Sequence, residues 1–339
     1  MEGHRVTLVF ADGESRQIVV GPVETVEQAA RRQGLRLLTD CREGACGTCR
    51  ARCLVGDYWL NDYSRDALPD ADAESGFVLT CQMCVRSPSV IEFDYPLAET
   101  AAKPAAPVRA VVRSVERVSD TVVRLTLDSK EGPVSFLPGQ YADLALPDAS
   151  ATRAYSFANE PGSDRLVFYV RLIEGGAMGE YLLRRAKPGD SLALKGPFGR
   201  FFLREPTRPM LMIAGGTGLA PMLSMLRQLA LAAERPAQIL LVYGANRPSD
   251  LFGLDELALL EQSLRGLRTV VCVASADPQW KGPVGLVSDV AAAQKVDFGS
   301  AGVYLCGPPP MIEHAEGLLM ARGAARGRLF AERFVPARP

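Results

Sequence analysis

The chain has 339 residues, 47% of them hydrophobic and 23% charged, and its 38 basic and 39 acidic side chains leave a formal net charge of −1. That balance excludes recognition of nucleic acid or an anionic membrane by bulk charge, and the length is too great for a single core. The opening MEGHRVTLVFADGE carries no signal-peptide pattern, and the one long apolar run, 209–233, is broken by three glycines, Pro221 and Arg227. The sequence therefore predicts a cytoplasmic protein with no membrane span.

In chain order, RVTLVF and RQIVV flank the turn ADGE and predict a hairpin. TVEQAARRQG follows, with Thr25 and Gln28 in a capping-box pattern and Gly34 at the expected helix end. Then comes CREGACGTC, residues 41–49, and a compact module that closes near Tyr95. ETAAKPAAP has little to bury and reads as a linker. From Val108 to about Glu205, VRAVVRSV, TVVRLTL, QYADLAL, RAYSFA, RLVFYVRL and SLALKG predict a small antiparallel barrel. Beyond Pro209, the apolar strands MLMIAGG, QILLVYG, RTVVCVAS and GVYLCG alternate with helical segments, the pattern of a parallel sheet covered on both faces.

Eight cysteines in a cytoplasmic chain point to metal or redox chemistry rather than disulfides. Cys41, Cys46 and Cys49 are spaced x4 and x2, with Cys81 thirty-one residues further on, which is the plant-type spacing of a [2Fe–2S] cluster. Four thiolates around two irons need inward-pointing N–H groups, and Gly44, Ala45 and Gly47 leave room for them. A four-thiolate zinc site from Cys46, Cys49, Cys81 and Cys84 is the competing arrangement; it has a long gap and leaves Cys41 without a purpose. Buried structural cysteines are the plainer alternative. Cys53 and Cys84 read as packing residues.

Residues 1–97 resemble a ferredoxin domain of the β-grasp type, and CREGACGTC with GFVLTCQM most resembles the domain that opens benzoate dioxygenase reductase and its relatives. The second cysteine of LTCQMCV, Cys84, departs from that pattern and leaves ligand exchange with Cys81 open.

In RAYSF, Arg153 and Tyr155 fall on one face of a strand, where a guanidinium can hold a pyrophosphate and a phenol can lie along an aromatic ring system. Ser156 can offer its N–H or hydroxyl to a ring nitrogen. Alone, this pattern is ordinary sheet surface. EGGAMGEYLL adds a glycine turn opening a helix, a second phosphate site. With GPFG at 196–199, residues 108–205 resemble the FAD domain of the ferredoxin–NADP reductase superfamily. The resemblance implies Arg153 at the pyrophosphate, Tyr155 and Ser156 at the isoalloxazine, Gly176, Ala177, Met178 and Gly179 at the phosphates, and Val170 among the cofactor contacts. Relatives often carry Ser or Thr where Gly179 stands, so that side-chain contact is missing here.

AGGTGLAP follows a predicted strand and opens a helix with Pro221 in its first turn. YLCGPPPM ends another strand at the edge where open α/β sheets bind ligands. The two motifs resemble the NAD domain of the same superfamily. That implies Gly215, Gly216, Thr217 and Gly218 at the cofactor phosphates, Cys306 and Gly307 near the nicotinamide, and AERF, with Glu332 and Phe334, over the flavin. Ser156, Cys306 and Glu332 are the catalytic candidates. VASADPQW has no cation before Lys281 to meet a 2′-phosphate, although Arg247 lies in GANRPSD, so NADH is the expected donor.

His4 and His314 fall in no catalytic pattern and read as surface residues. The stretch 62–75, with Asp62, Asp66, Asp70, Asp72 and Glu74 against Arg65, reads as a solvated loop, or alternatively as an acidic docking surface. The expected architecture is multidomain: a β-grasp ferredoxin domain (1–97), a linker (98–107), an antiparallel Greek-key β-barrel FAD domain (108–205) and a doubly wound parallel-sheet NAD domain (206–339). The resemblance implies an NADH-dependent reductase that passes electrons through FAD and a [2Fe–2S] cluster to the terminal oxygenase of a ring-hydroxylating system, and nothing in the sequence demands more than a monomer. A soluble di-iron monooxygenase as the acceptor, a redox sensor without steady turnover, and a free-standing flavin reductase are the alternatives.

Overall fold

The structure is a computed structural model that describes residues 3–101, 107–204 and 208–334. The chain divides into two compact units, residues 1–104 and 105–339.

In the first unit, strands β1 (His4–Val9) and β2 (Ser15–Val20) form the expected hairpin, in register from His4↔Val20 to Val9↔Ser15. Helix α1 (Val26–Arg32) begins at a reciprocal cap. The Gln28 N–H donates to Thr25 Oγ1 at 3.3 Å, and the Thr25 N–H donates to Gln28 Oε1 at 3.0 Å. The cysteine loop follows, then β3 (Arg50–Val55), β4 (Tyr58–Leu60), α2 (Asp70–Glu74), β5 (Phe77–Leu79), β6 (Met83–Val85) and β7 (Ser89–Glu92). The main sheet has the order β2-β1-β7-β3-β5, with β1 and β7 parallel, while β4 and β6 pair separately. Period-2 burial in β1 sends Val6 and Leu8 inward, onto Val26, Ala29 and Ala30 of α1. A second small core of Cys49, Ala67, Leu68, Leu79 and Cys81 lies under the cysteine loop.

The acidic stretch departs from expectation in one part. Its Asp70–Glu74 part folds into α2, and Asp72 is buried, 3.0 Å from the Arg50 guanidinium, so that one carboxylate is a packing partner, while Asp62, Asp70 and Glu74 are exposed as expected. His4 is half-buried in β1, whereas His314 is exposed. Of the predicted linker, Leu97–Ala101 forms a 3₁₀ turn, and 102–106 lie outside the described residues.

The second unit opens with six antiparallel strands, β8 (Val108–Arg117), β9 (Val122–Ser129), β10 (Tyr141–Ala145), β11 (Thr152–Ser156), β12 (Arg165–Arg171) and β13 (Ser191–Phe198), with helix α3 (Ala177–Arg184) between the last two. Their spatial order is β11-β10-β13-β8-β9-β12. The sheet curls until its two edges approach: beyond β11, the Ala158 N–H donates to the Val167 carbonyl in β12 at 2.9 Å. Within it Phe136 stacks on Phe157, and Phe168 packs against Phe157 at a tilt.

The remainder is a parallel sheet of β14 (Met210–Gly215), β15 (Ile239–Ala245), β16 (Leu267–Val273), β17 (Gly302–Gly307) and β18 (Leu329–Arg333), with α4 (Leu219–Leu231), α5 (Leu254–Ser263), α6 (Val287–Ala292) and α7 (Pro309–Ala321) on its faces. The order β16-β15-β14-β17-β18 reverses direction between β14 and β17. That reversal opens a crevice at the carboxyl ends of the two strands. The barrel and this sheet share one core, since Val122, Ala158, Tyr169 and Phe201 of the barrel side pack with Leu219, Phe252 and Tyr304. A polar joint reinforces it. Glu256 of α5 accepts from Tyr169 Oη at 2.6 Å and from Arg227 of α4 at 2.5 Å, with Arg124 of β9 at 3.4 Å.

Candidate functional site

The four cysteines with the predicted cluster spacing come together as two pairs. Cys49 Sγ and Cys81 Sγ are 3.2 Å apart, and the Cys46 thiol donates to Cys41. The pairs in turn feel each other's charge, Cys81 that of Cys41 and Cys49 that of Cys46. Among the described residues, no three His, Cys, Asp or Glu side chains are grouped as a single metal ion would need. Two thiols for each of two irons is the donor set a [2Fe–2S] cluster takes.

In each pair one sulfur is favoured as the thiolate and the other as its thiol donor. The Cys46 thiol and the N–H groups of Glu43, Ala45 and Cys46 hold Cys41 down to about 5 against the cost of burial. Cys81 is lowered by the Cys49 thiol, the Gln82 amide and the Gly44 N–H. Cys46 and Cys49, the donors of the two pairs, are raised by their partners and by burial. Gly44 has to be glycine: its φ is +69°, and a Cβ there would stand 2.8 Å from Tyr63 Cβ and 2.9 Å from Gln82 Cγ. These residues fit the cluster.

The zinc alternative does not fit. Cys84 lies in β6 opposite Trp59, 1% exposed, and Asn61 Nδ2 sits 3.8 Å from its sulfur. Burial pushes that thiol up. Cys53, in β3, packs against the module's core, and its thiol donates to the Val55 carbonyl.

In the barrel, Arg153, Tyr155 and Ser156 all lie on β11, paired with β10. The Arg153 guanidinium donates to the Thr152 carbonyl at 2.9 Å, and among the described residues no carboxylate pairs with it. Burial raises the Tyr155 phenol, partly offset by the Arg153 charge. Helix α3 starts at Gly176 with no side-chain cap. The first intrahelical donor is the Glu180 N–H, to the Gly176 carbonyl, so the three preceding N–H groups have no helical acceptor. An unpaired guanidinium and an uncapped helix start suit a pyrophosphate. Two of the expected contact residues have core side chains. Val170 is 1% exposed and Met178 is 3% exposed, and both side chains belong to the barrel core. Met178 retains its backbone N–H at the helix start; Val170 serves packing.

At the sheet reversal, Gly215 ends β14, Gly216 to Gly218 form a 3₁₀ turn without a side-chain cap, and α4 follows. The glycines differ in role. A Cβ on Gly218 would lie 2.1 Å from the Cys306 carbonyl oxygen and one on Gly215 would lie 2.5 Å from Met311 Sδ, whereas Gly216, at φ +54°, faces open space. Gly215 and Gly218 therefore let the turn close onto β17 and α7, and Gly216 supplies the open face.

Cys306 is fully buried in the core between β14 and β18, and burial, with the Glu332 charge adding to it, pushes its thiol well above the ordinary value. Glu332 is its ladder partner on β18. Glu332 also reaches the barrel: a Cβ on Gly199 would meet the Tyr141 ring at 3.0 Å and Glu332 Oε2 at 3.8 Å. Tyr141 is the register partner of both Ser156 and Phe198. The fold thus brings Ser156, Cys306 and Glu332 toward one locale and adds Tyr141, which sequence reasoning missed. Phe334 packs on the sheet's core, its N–H donating to the Gly307 carbonyl at 2.9 Å. Arg247 is exposed beyond β15, its N–H donating to Asp250 Oδ2 at 3.2 Å.

Comparison with known proteins agrees with this partition. Residues 9–86 match the 2Fe-2S iron-sulfur cluster binding domain, 109–203 the oxidoreductase FAD-binding domain and 212–317 the oxidoreductase NAD-binding domain. The toluate 1,2-dioxygenase electron transfer component of Pseudomonas putida is 39% identical, over 98% of each chain. The propane 2-monooxygenase reductase component of Rhodococcus jostii is 36% identical over 98% of this chain and 91% of that one. Among solved structures, an Amycolatopsis cytochrome P450 reductase superposes with a TM-score of 0.72 at 28% identity, covering 98% of this chain and 99% of that one. The chain belongs to the family of electron transfer components of ring-hydroxylating dioxygenases and related oxygenases, NADH-dependent reductases with a [2Fe–2S] ferredoxin domain, an FAD domain and an NAD domain.

Proposed function

We propose that this chain draws electrons from NADH and delivers them to the terminal oxygenase of an aromatic-ring-hydroxylating dioxygenase, as a cytoplasmic monomer. The observation that carries the reading is the pairing of Cys41 with Cys46 and of Cys49 with Cys81 on the same chain as the Ser156, Cys306 and Glu332 locale. A two-electron donor site and a one-electron exit site then belong to one molecule. When bound, the flavin supplies the conversion between a hydride and single electrons, and the cluster supplies the one-electron carrier.

The protein's own work is placement. Arg153 and the uncapped start of α3 hold the pyrophosphate, and Ser156 offers its hydroxyl and N–H at the ring. The turn Gly215 to Gly218 seats the nicotinamide cofactor's phosphates, and Cys306, kept neutral by burial, presents a polarisable, uncharged surface toward the nicotinamide. Glu332 sets a carboxylate at the same place. The exposed segment beyond β16, Ala274–Gln279, carries no Lys or Arg to meet a 2′-phosphate, and Arg247 beyond β15 is the one candidate cation the sequence offers before Lys281. This supports NADH as the donor.

The test is an anaerobic titration with NADH, and separately NADPH, followed by visible absorption and EPR. The reading requires NADH to bleach flavin and iron–sulfur bands together and to produce a rhombic [2Fe–2S] signal, with NADPH far slower. Bleaching of a flavin alone, or zinc in place of iron, would sink it.

A further inference from the structure

Gln82 follows Cys81 directly and is itself buried, 8% exposed. Its Nε2 stands 3.1 Å from the Arg42 carbonyl and 3.5 Å from Cys81 Sγ. A primary amide carries two N–H donors on that nitrogen, so both contacts can be made at once. The side chain reaches this position by passing under Gly44, where a Cβ would lie 2.9 Å from Gln82 Cγ.

Its other anchor is held in turn. Arg42 has φ +59°, a left-handed conformation uncommon for a non-glycine residue. Its Nε lies 3.5 Å from Glu27 Oε1, on a helix α1 residue that is 5% exposed. The Glu27 N–H donates to the carbonyl of Thr80, next to Cys81, at 3.0 Å. The contacts close a ring: Glu27, Arg42, Gln82, Cys81, Thr80 and back to Glu27. The amide is therefore fixed from two sides and cannot turn its oxygen to the sulfur without losing the Arg42 carbonyl.

We propose that Gln82 tunes the iron–sulfur centre, donating one amide N–H to the Cys81 sulfur while the other fixes the Arg42 carbonyl of the cluster loop. This inference rests on the iron–sulfur reading of the four cysteines. A donor aimed at a ligand sulfur is strengthened when the cluster gains an electron, because the acceptor becomes more negative. Gln82 therefore favours the reduced state and raises the potential, one of the ways proteins set this quantity.

The experiment is potentiometric titration of the full chain, with EPR reading the cluster and visible absorption reading the flavin. Gln82→Met keeps the side chain's length but has no N–H donor. It shifts the one-electron equilibrium of the cluster toward the oxidised state by about three- to tenfold, tenfold corresponding to about 59 mV for a one-electron couple. Gln82→Glu shifts it in the same direction, and the flavin midpoint stays where it is. A wild-type potential in Gln82→Met with its cluster assembled overturns the proposal. Loss of the cluster from both Gln82 variants, with flavin retained, also overturns it and leaves Gln82 a structural clamp alone. A wild-type chain without a [2Fe–2S] signal would instead count against the functional reading itself.

Discussion

A Cβ on Gly218 would lie 2.1 Å from the carbonyl oxygen of Cys306, closer than real side chains approach a backbone. The glycine turn at the sheet reversal is therefore packed against the strand that carries Cys306, and the two cannot separate without opening the crevice. Gly218→Ala is expected to cost about 1–3 kcal/mol through overpacking and to abolish saturable reduction by NADH. Gly216→Ala meets open space and bears only the strain of a left-handed residue, about 1–2 kcal/mol. Thermal melts and NADH titrations of the two variants check the contrast; equal damage from both would show that crevice packing is not the controlling feature.

Glu332 and Cys306 predict a kinetic effect without a comparable structural one. Cys306→Ala and Glu332→Gln are expected to slow anaerobic flavin reduction by NADH about ten- to a hundredfold, roughly 1.4–3 kcal/mol of barrier, with FAD content unchanged. Stopped-flow absorbance measures this. The Cys306 thiol, raised by burial and by Glu332 from its ordinary 9.0, stays protonated in the folded chain where the unfolded chain begins to ionise. Its contribution to stability is complete below pH 9 and declines as pH rises beyond it. In the native protein it resists iodoacetamide at pH 8.

The flavin half offers one loss and one gain. Arg153→Ala removes the guanidinium that no described carboxylate pairs with, and FAD affinity falls about ten- to a hundredfold, the worth of a charge-assisted contact of about 1.5–3 kcal/mol. Gly179 is buried near the start of α3, but a Cβ there meets Leu172 Cδ2 at an ordinary 3.5 Å. Gly179→Ser therefore fits, and its hydroxyl adds a donor for a phosphate. FAD is expected to bind about fivefold more tightly, for a hydrogen bond of about 1 kcal/mol. Fluorescence titration of the apoprotein with FAD decides both.

Much of this was legible in the sequence because the chemistry depends on local patterns. The x4, x2 cysteine spacing, the Thr25–Gln28 cap and the strand–glycine turn–helix at 210–221 each fix a motif within a few residues. What the sequence concealed depends on side-chain direction and on long-range contact. Val170 lies in a strand whose pattern does not announce its direction, and its side chain points into the barrel core. Asp72 sits in an acidic run, but Arg50, twenty-two residues earlier in the chain, makes it a buried ion-pair partner. Tyr141 becomes a site neighbour only through the β10–β11 register with Ser156 and the arrival of Glu332 from β18. Gln82 is adjacent to a predicted ligand, and that adjacency was the available signal; only the fold shows its amide turned back to the Arg42 carbonyl.

The Glu256 joint gives a prediction about how the flavin and nicotinamide halves of the second unit are held. Glu256 accepts from Tyr169 of the barrel and from Arg227 of the sheet side, while Arg227 also donates to the Ala158 carbonyl. Burial, followed by the Glu256 carboxylate, raises the Tyr169 phenol, so it remains a donor across neutral and moderately alkaline pH. Glu256→Gln keeps the shape but weakens these charge-assisted bonds, at a cost of about 1–3 kcal/mol. The melting temperature of this unit falls by roughly 2–12 °C, with about 2–4 °C expected per kcal/mol in a unit of this size. Because the joint spans the two halves, flavin reduction by NADH slows while FAD affinity is unchanged. A lower melting temperature with an unaltered reduction rate would show that the shared apolar core around Tyr169 and Phe252 holds the alignment without Glu256.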